Sequence, residues 1–290
     1  MNNIKFGDEK KKGSFFLQIK HDFYKGTIEG WKRYAIALCI FIFLCFVFQI
    51  RAEKIIQFNK ISKEISFSDF ILFMFRGMNV FDGNAVELQD KLPQWFLVNI
   101  YLSIIIGYFP LKDLSESGIQ VLIRTKSRVS WWLSKCLWVI YNVLIYYTIF
   151  IIVITVFSLF HGGLSLELSK ELNLILSNLD ISKFNFKGIL VVGIILPLIT
   201  SITFSLIQLL ISLFTNSIIS NMFIITVLTL TPFYCNSFFI GNYLMILRSN
   251  LNIGDSGVSI VYGIVICVVL SIATIFIGAN KIKRYDILEK

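Results

Sequence analysis

The sequence predicts an all-α integral membrane protein, with six transmembrane helices and an N-terminal amphipathic interfacial helix. Three observations carry this. Of 290 residues, 56% are apolar and 15% aromatic, and mean hydropathy is +0.75. Charged residues make up 16%, well under the roughly one quarter of a soluble domain. Six stretches of 17 residues or more contain no Asp, Glu, Lys or Arg. A soluble fold of this length could not hide that much apolar surface from water. The composition equally excludes a disordered chain, a collagen and a disulfide scaffold.

A helix needs about 20 apolar residues to cross the hydrocarbon core, within a range of roughly 17–25. The six stretches are 34–50, 94–110, 136–160, 188–213, 217–235 and 258–280. They divide the chain into a cytoplasmic arm (1–33), a permease domain (34–280) and a short cytoplasmic tail (281–290). The first span follows 33 mostly polar residues and has no small-residue cleavage pattern after it, unlike a signal peptide. Alternation places the arm, the 111–135 loop, the 214–216 turn and the tail on one face, with 17 basic and 8 acidic residues. The opposite face carries 10 of each sign. The net charge of +9 therefore sits on one side. The positive-inside rule makes that side the cytoplasm, of a bacterial plasma membrane, with both termini inside. The basic excess then reflects topology and anionic lipid, not nucleic acid.

Two segments outside the spans repeat at helical spacing. In the arm, Phe16, Ile19, Phe23, Thr27, Gly30 and Trp31 share one face, opposite Asp22, Lys25, Glu29 and Lys32. This is the pattern of a helix lying along the inner leaflet, with Phe16, Ile19, Phe23 and Trp31 as anchors. A cytosolic helix packed on a partner is the alternative. In the first outer loop, Phe67, Phe70, Ile71, Met74, Phe75 and Met78 fall on one stripe. Ser66 is placed to start that helix and Gly77 to end it. It is expected to rest on the outer bilayer surface or on the spans.

The chemistry is mostly neutral. His21 and His161 lie outside the spans, so a proton relay has no carriers there. No His and Glu sit together at depth for a metal, and no base is buried with a Ser. The five cysteines read as small packing residues. No phosphate-binding loop of the Gly-x-x-x-x-Gly-Lys-Ser/Thr type occurs, so neither a cofactor nor a nucleotide site is expected in this chain. Within the spans, Ser201, Ser205, Gln208 and Ser212 form one stripe on span four. They are candidates for the wall of a translocation path, with Asn99, Asn142 and Asn221 as further candidates. Helix–helix hydrogen bonding is the plain alternative. Pro197, in the same span, withholds a hydrogen bond from Gly193 and is a candidate hinge. Gly263, Cys267, Ser271 and Gly278 form a small-residue packing ridge on span six.

The loop after span two is short, basic at its far end and apolar over 118–123. Arg124, Lys126 and Arg128 follow, then Trp131 and Trp132, a combination suited to a bilayer interface or a protein contact. Four features together resemble the permease subunits of type-2 ATP-binding-cassette exporters, in the branch beside bacteriocins, lantibiotics and other secreted peptides, phenol-soluble modulins among them. These are the amphipathic arm, six spans with inward termini, the run Ser117-Gly-Ile-Gln-x-Leu122-Ile-Arg124-x-x-Ser-Arg128-x-x-Trp131-Trp132-x-x-Lys135, and the tail from Lys281 to Leu288. The resemblance covers nearly the whole chain as architecture and one segment as a motif. It implies that Ser117, Gly118, Ile119, Leu122, Ile123, Arg124 and Arg128 form a coupling loop docked on an ATPase. It also implies two ATPase copies holding ATP and Mg, a second permease copy or paralogue, and a hydrophobic or amphipathic peptide as substrate. The permease itself would be no enzyme. Two rival readings keep the same spans: a self-protection system that expels or binds an antimicrobial peptide, and a scaffold that transports nothing.

Overall fold

The computed structural model describes residues 15–60, 65–78, 81, 83, 93–107, 128–161, 164–165, 168–177 and 186–283. Among them it is all-helical, with a single isolated bridge between Ser249 and Val258. Helix α1 covers 15–28, its last turn a π-turn over Tyr24–Ile28. Helices α2 (Trp31–Asn59), α3 (Phe67–Phe75), α4 (Pro93–Gly107), α5 (Arg128–His161), α6 (Lys170–Ser177), α7 (Lys187–Phe214), α8 (Ser217–Leu230) and α9 (Ile260–Lys283) follow. Four of these, α2, α5, α7 and α9, are long and apolar enough to cross a membrane. At 29, 34, 28 and 24 residues they run to about 36–51 Å at ~1.5 Å per residue.

Burial shows why these helices suit a bilayer. Helix α2 turns Ala37, Phe41, Leu44, Cys45, Phe48 and Ala52 inward. Its exposed side is equally apolar, with Ile36, Leu38, Phe43, Phe46 and Ile50. A helix apolar on all sides has no face fit for water. It continues past the predicted end at Ile50 through Arg51, Glu53 and Lys54 until Lys60, in the left-handed conformation at φ 52°, stops it. Helix α7 is the most enclosed of the four and α9 the least, so α7 is the axis of the bundle and α9 lies at its rim.

Chain direction alternates as the spans require. At one end, the Tyr101 hydroxyl donates to the Arg33 carbonyl (2.8 Å), Ser217 to the Gly107 carbonyl, and Arg128 to the Lys283 carbonyl (3.3 Å). Lys281 stands 4.9 Å over the Phe214 ring there. The starts of α2, α5 and α8 and the ends of α4, α7 and α9 thus gather on one basic side.

The opposite end is more deeply built than the sequence suggests. Ser66 caps α3 through a reciprocal box with Asp69: the Asp69 amide donates to Ser66 Oγ (3.2 Å) and the Ser66 amide to Asp69 Oδ2 (2.9 Å). Gly77, at φ +64°, then turns the chain. Every residue of α3 is buried, so this helix is wrapped in protein instead of lying on a surface. Ile71 meets Gly193, where a side chain would collide. There α7 widens into a π-turn over Val191–Ile195, directly ahead of Pro197. A proline and a close approach coincide, which accounts for the irregular turn.

The α9 ridge is a packing ridge. Gly263 lies against the Tyr243 ring and Gly278 against Trp132, leaving no room for a Cβ at either. Thr203 reaches Ser271 Oγ (3.0 Å) and the Cys267 carbonyl (3.1 Å). Trp131 and Trp132, expected as interfacial anchors, are both buried. Trp132 fills the gap that Gly278 leaves and donates its indole N–H to the Ile275 carbonyl (2.8 Å). The glycine makes an inward pocket that outcompetes the lipid interface. Gly278→Leu should overpack this contact by about 1–3 kcal/mol. Thermal unfolding in detergent should show the loss, and Trp132→Ala in the same chain should recover part of it.

Candidate functional site

Helices α4, α7 and α8 meet around a polar knot in the interior. Gln208 projects from α7 and donates through Nε2 to the Ser103 carbonyl (2.8 Å) and to Asn221 Oδ1 (2.5 Å). Ser103 Oγ returns a bond to Gln208 Oε1 (3.1 Å) and reaches Asn221 Oδ1 (3.3 Å). Gly107, one turn on, is pressed by the Asn221 and Gln208 amides, so only glycine fits. Above the knot lies a cavity of about 10 Å³ lined by Asn99, Ser103, Ser201, Ser205, Gln208 and Leu244, among others. That volume holds about one water. The Tyr147 hydroxyl and Ser201 Oγ lie 2.9 Å apart on its α5 side.

Of the path candidates, Asn99, Ser201, Ser205 and Gln208 line one cavity, and Asn221 joins through Gln208. Ser212 lies further along α7 and donates to the Leu209 carbonyl (2.7 Å). Asn142 is elsewhere. It accepts from Thr27 (3.2 Å) and from Tyr34, and donates to the Trp138 carbonyl, so it fastens the arm to α5. Ser103 is the member that sequence reasoning passed over, whereas Tyr147, like Tyr146, reads from the sequence as a candidate for an interior face. Asn99, Ser103 and Gly107 recur every four residues on α4, a stripe of small and polar residues that could have been read.

The arm docks by its polar side. Lys135, fully buried, donates to Asp22 Oδ1 (2.6 Å), and Ser134 donates to Asp22 Oδ2 (2.6 Å). His21 Nδ1 lies 3.5 Å from Oδ1, and the Lys135 ammonium stands 5.4 Å over the Trp131 ring. Burial works to raise the Asp22 carboxyl. The His21 hydrogen bond, the charge and hydrogen bond of Lys135 and the Ser134 hydroxyl together hold it below its ordinary value of 3.8. Asp22 is therefore not on a solvated face. The π-turn over 24–28 advances the register, so Thr27 falls on the same side as Asp22 and Gln18, all buried. Phe16, Leu17, Phe23, Tyr24, Ile28 and Trp31 are left exposed, and Ile19 is half-buried.

The far end of the cavity is closed by irregular backbone. Residues 241–249 are buried, and Leu244 reaches the cavity while its carbonyl accepts from the Trp95 indole (2.9 Å). Arg248, with no exposed surface, holds this plug together. Its Nε donates to the Met78 carbonyl (3.1 Å). Its terminal nitrogens donate to the carbonyls of Thr231 (2.5 Å), Tyr234 (3.0 Å) and Pro232 (2.6 Å) and to Asn242 Oδ1. Nearby, Asp69 accepts from Asn173 and from the Ser169 amide (3.3 Å). Burial raises its carboxyl despite these bonds.

Among the described residues no cluster of His, Cys, Asp and Glu could hold a metal ion. The coupling-loop candidates Ser117, Gly118, Ile119, Leu122, Ile123 and Arg124 lie outside the described residues. Arg128 lies inside them and ties the start of α5 to the end of α9.

No curated protein and no solved structure matches the chain. Residues 37–288 match the family described as protein of unknown function (DUF2705). That stretch runs from inside α2 past the end of α9 and leaves the arm outside it; the chain belongs to this family.

Proposed function

We propose that this chain is the membrane-spanning subunit of an ATP-driven exporter that moves a hydrophobic or amphipathic peptide outward. A separate ATPase pair, carrying ATP and Mg, docks on the 111–135 loop, and a second permease copy or paralogue completes the path. In this reading α4 and α8 also cross the bilayer, giving six spans. They are shorter, at 15 and 17 residues when α8 is taken through its terminal turn to Phe233, and the plug at 231–249 supplies the remaining depth at the outer end. Irregular backbone at membrane depth is tolerated when protein surrounds it, and residues 241–249 are buried throughout. The basic end faces the cytoplasm by the positive-inside rule, and the exposed apolar side of α1 lies in the inner leaflet.

One observation carries the reading most. The interior cavity is polar yet lined by no ionisable residue. An ion-coupled carrier would need charged or protonatable groups there, so the driving force is expected from a protein contact at the cytoplasmic face. With room for about one water, the path is in a closed state. To open it, Gln208 must release α4 or α8.

Inside-out vesicles holding permease and ATPase should accumulate an amphipathic helical peptide when ATP is added. Gln208→Leu should cost only about 1 kcal/mol of stability, as interhelical hydrogen bonds in membranes do, but should abolish accumulation. Undiminished accumulation by Gln208→Leu would remove the cavity from the path.

A further inference from the structure

Two grooves of nearly equal size are stacked along one exposed stripe of α5. The stripe runs through Leu137, Tyr141, Leu144, Ile152, Val156 and Phe160. The groove nearer the basic end, about 530 Å³, lies between this stripe and α1, walled by Phe16, Ile19 and Phe23. The other, about 520 Å³, lies between the stripe and α2. Both volumes fall in the range of small-molecule sites, roughly 300–1,000 Å³, and both are walled almost wholly by carbon. Their polar ends differ. The groove under α1 has Lys20 in its wall together with Trp138 and Tyr141, and its carboxylate, Asp22, is taken up by Ser134 and Lys135. The groove on α2 has no lysine or arginine. Its polar residues are Gln49, which donates to Glu53 (2.8 Å), and His161, beside the Phe157 carbonyl (2.9 Å).

We propose that the groove under α1 binds one anionic phospholipid of the inner leaflet, with an acyl chain between α1 and α5 and the phosphate on the Lys20 ammonium. This rests on the placement of the arm in that leaflet. The Asp22–Lys135 pair fixes the groove's width, because it holds α1 across the first turns of α5. Exposed Lys20 is the one cation in the wall whose charge the pair does not consume. A neutral lipid chain suffices for the groove on α2, which therefore serves as the internal control.

The test uses the full chain, stripped of lipid in detergent and offered equal amounts of phosphatidylglycerol and phosphatidylcholine with the same chains. Native mass spectrometry counts the lipids retained. The wild type should hold one phosphatidylglycerol in preference by roughly fivefold, the factor that one lysine near an anionic surface supplies. Lys20→Gln should erase the preference, and Leu137→Trp, which fills the groove, should weaken both lipids. Equal retention of the two lipids by the wild type, or an unchanged preference in Lys20→Gln, would overturn the site. A spin label on Phe16→Cys, in a chain whose five native cysteines are replaced, separates this in proteoliposomes from failure of the arm's placement. A label reached by oxygen, but not by a water-soluble nickel chelate, keeps α1 in the lipid. A label reached by the chelate overturns placement and site together.

Discussion

Asp22→Ala should release the arm from α5. It leaves the Lys135 ammonium buried with no counter-charge, and breaking a buried pair from one side costs about 3–5 kcal/mol. Trypsin added to inside-out vesicles should then cut at Lys20 and Lys25, sites protected in the wild type. The double variant Asp22→Leu, Lys135→Met should restore protection, because carbon against carbon needs no partner in that space. The same pair makes the docking sensitive to acid. The Asp22 carboxyl is held below 3.8 in the fold, so its contribution is fully present above that pH and is lost as pH falls through the lower, folded value. Protection of the arm should therefore persist at pH 5 and fade below 3.8. A wild-type arm cut freely at pH 7 would mean that the ion pair does not hold it.

Arg248→Met should be the most damaging single change at the outer end. It strips donors from four carbonyls and the Asn242 amide, all inside the plug. The Pro232 and Thr231 carbonyls keep the Phe81 and Tyr234 amides (3.2 and 3.3 Å). Each buried acceptor left without a donor costs about 1–3 kcal/mol, so Met78, Tyr234 and Asn242 together bring the loss to about 3–9 kcal/mol, at the upper end of single substitutions. Arg248→Lys should recover little. An ammonium has three donors at one point, and the acceptors lie around a planar fork. The readout is thermal unfolding in detergent, with proteolysis of the 236–257 segment in right-side-out vesicles. A variant that melts within a degree of wild type and resists the protease would show that the plug closes without its arginine.

Four of the predicted stretches, 34–50, 136–160, 188–213 and 258–280, were legible because long apolar runs leave a helix little choice: they fall on the helices long and apolar enough to cross a membrane, while 94–110 and 217–235 fall on shorter ones. Their ends were not, since the helix of α2 continues for nine polar and mixed residues once it is in water. The polar stripe on span four was legible through its period, and the structure brings most of it to one cavity. Its closure was not legible, because Leu244 comes from a segment that reads as an outer loop. Arg248 was hidden for the same reason. One arginine in a loop counts as a surface charge until the carbonyls of two other segments, at Met78 and at Thr231, Pro232 and Tyr234, are seen around it. The inward turn of Trp132 depends on Gly278, almost 150 residues away. Thr27 was misplaced by a single extra residue in the turn at 24–28, which no periodicity count detects, and Asp22 counted as solvated because its partner Lys135 lies over a hundred residues away.

These elements form a chain of contacts from the basic end to the cavity. Arg128 joins α5 to α9, Lys135 joins α5 to the arm, and Tyr147, further along α5, meets Ser201. A push delivered at the 111–135 loop would enter that same helix and reach the cavity wall without crossing a flexible joint. The loop's Ile119 and Leu122 are the apolar contacts proposed to receive it, and an Asp at either would place an unpaired charge in a buried contact.

The most direct measurement is therefore composition of the complex. The chain, tagged at its C-terminus and extracted from its native membrane in mild detergent, should bring with it an ATP-binding-cassette ATPase in equal amount. The Ile119→Asp and Leu122→Asp chains should reach the membrane but lose that subunit. A wild-type chain that purifies without any ATPase, while its fold survives extraction, would contradict the account; so would Asp variants that retain the ATPase undiminished.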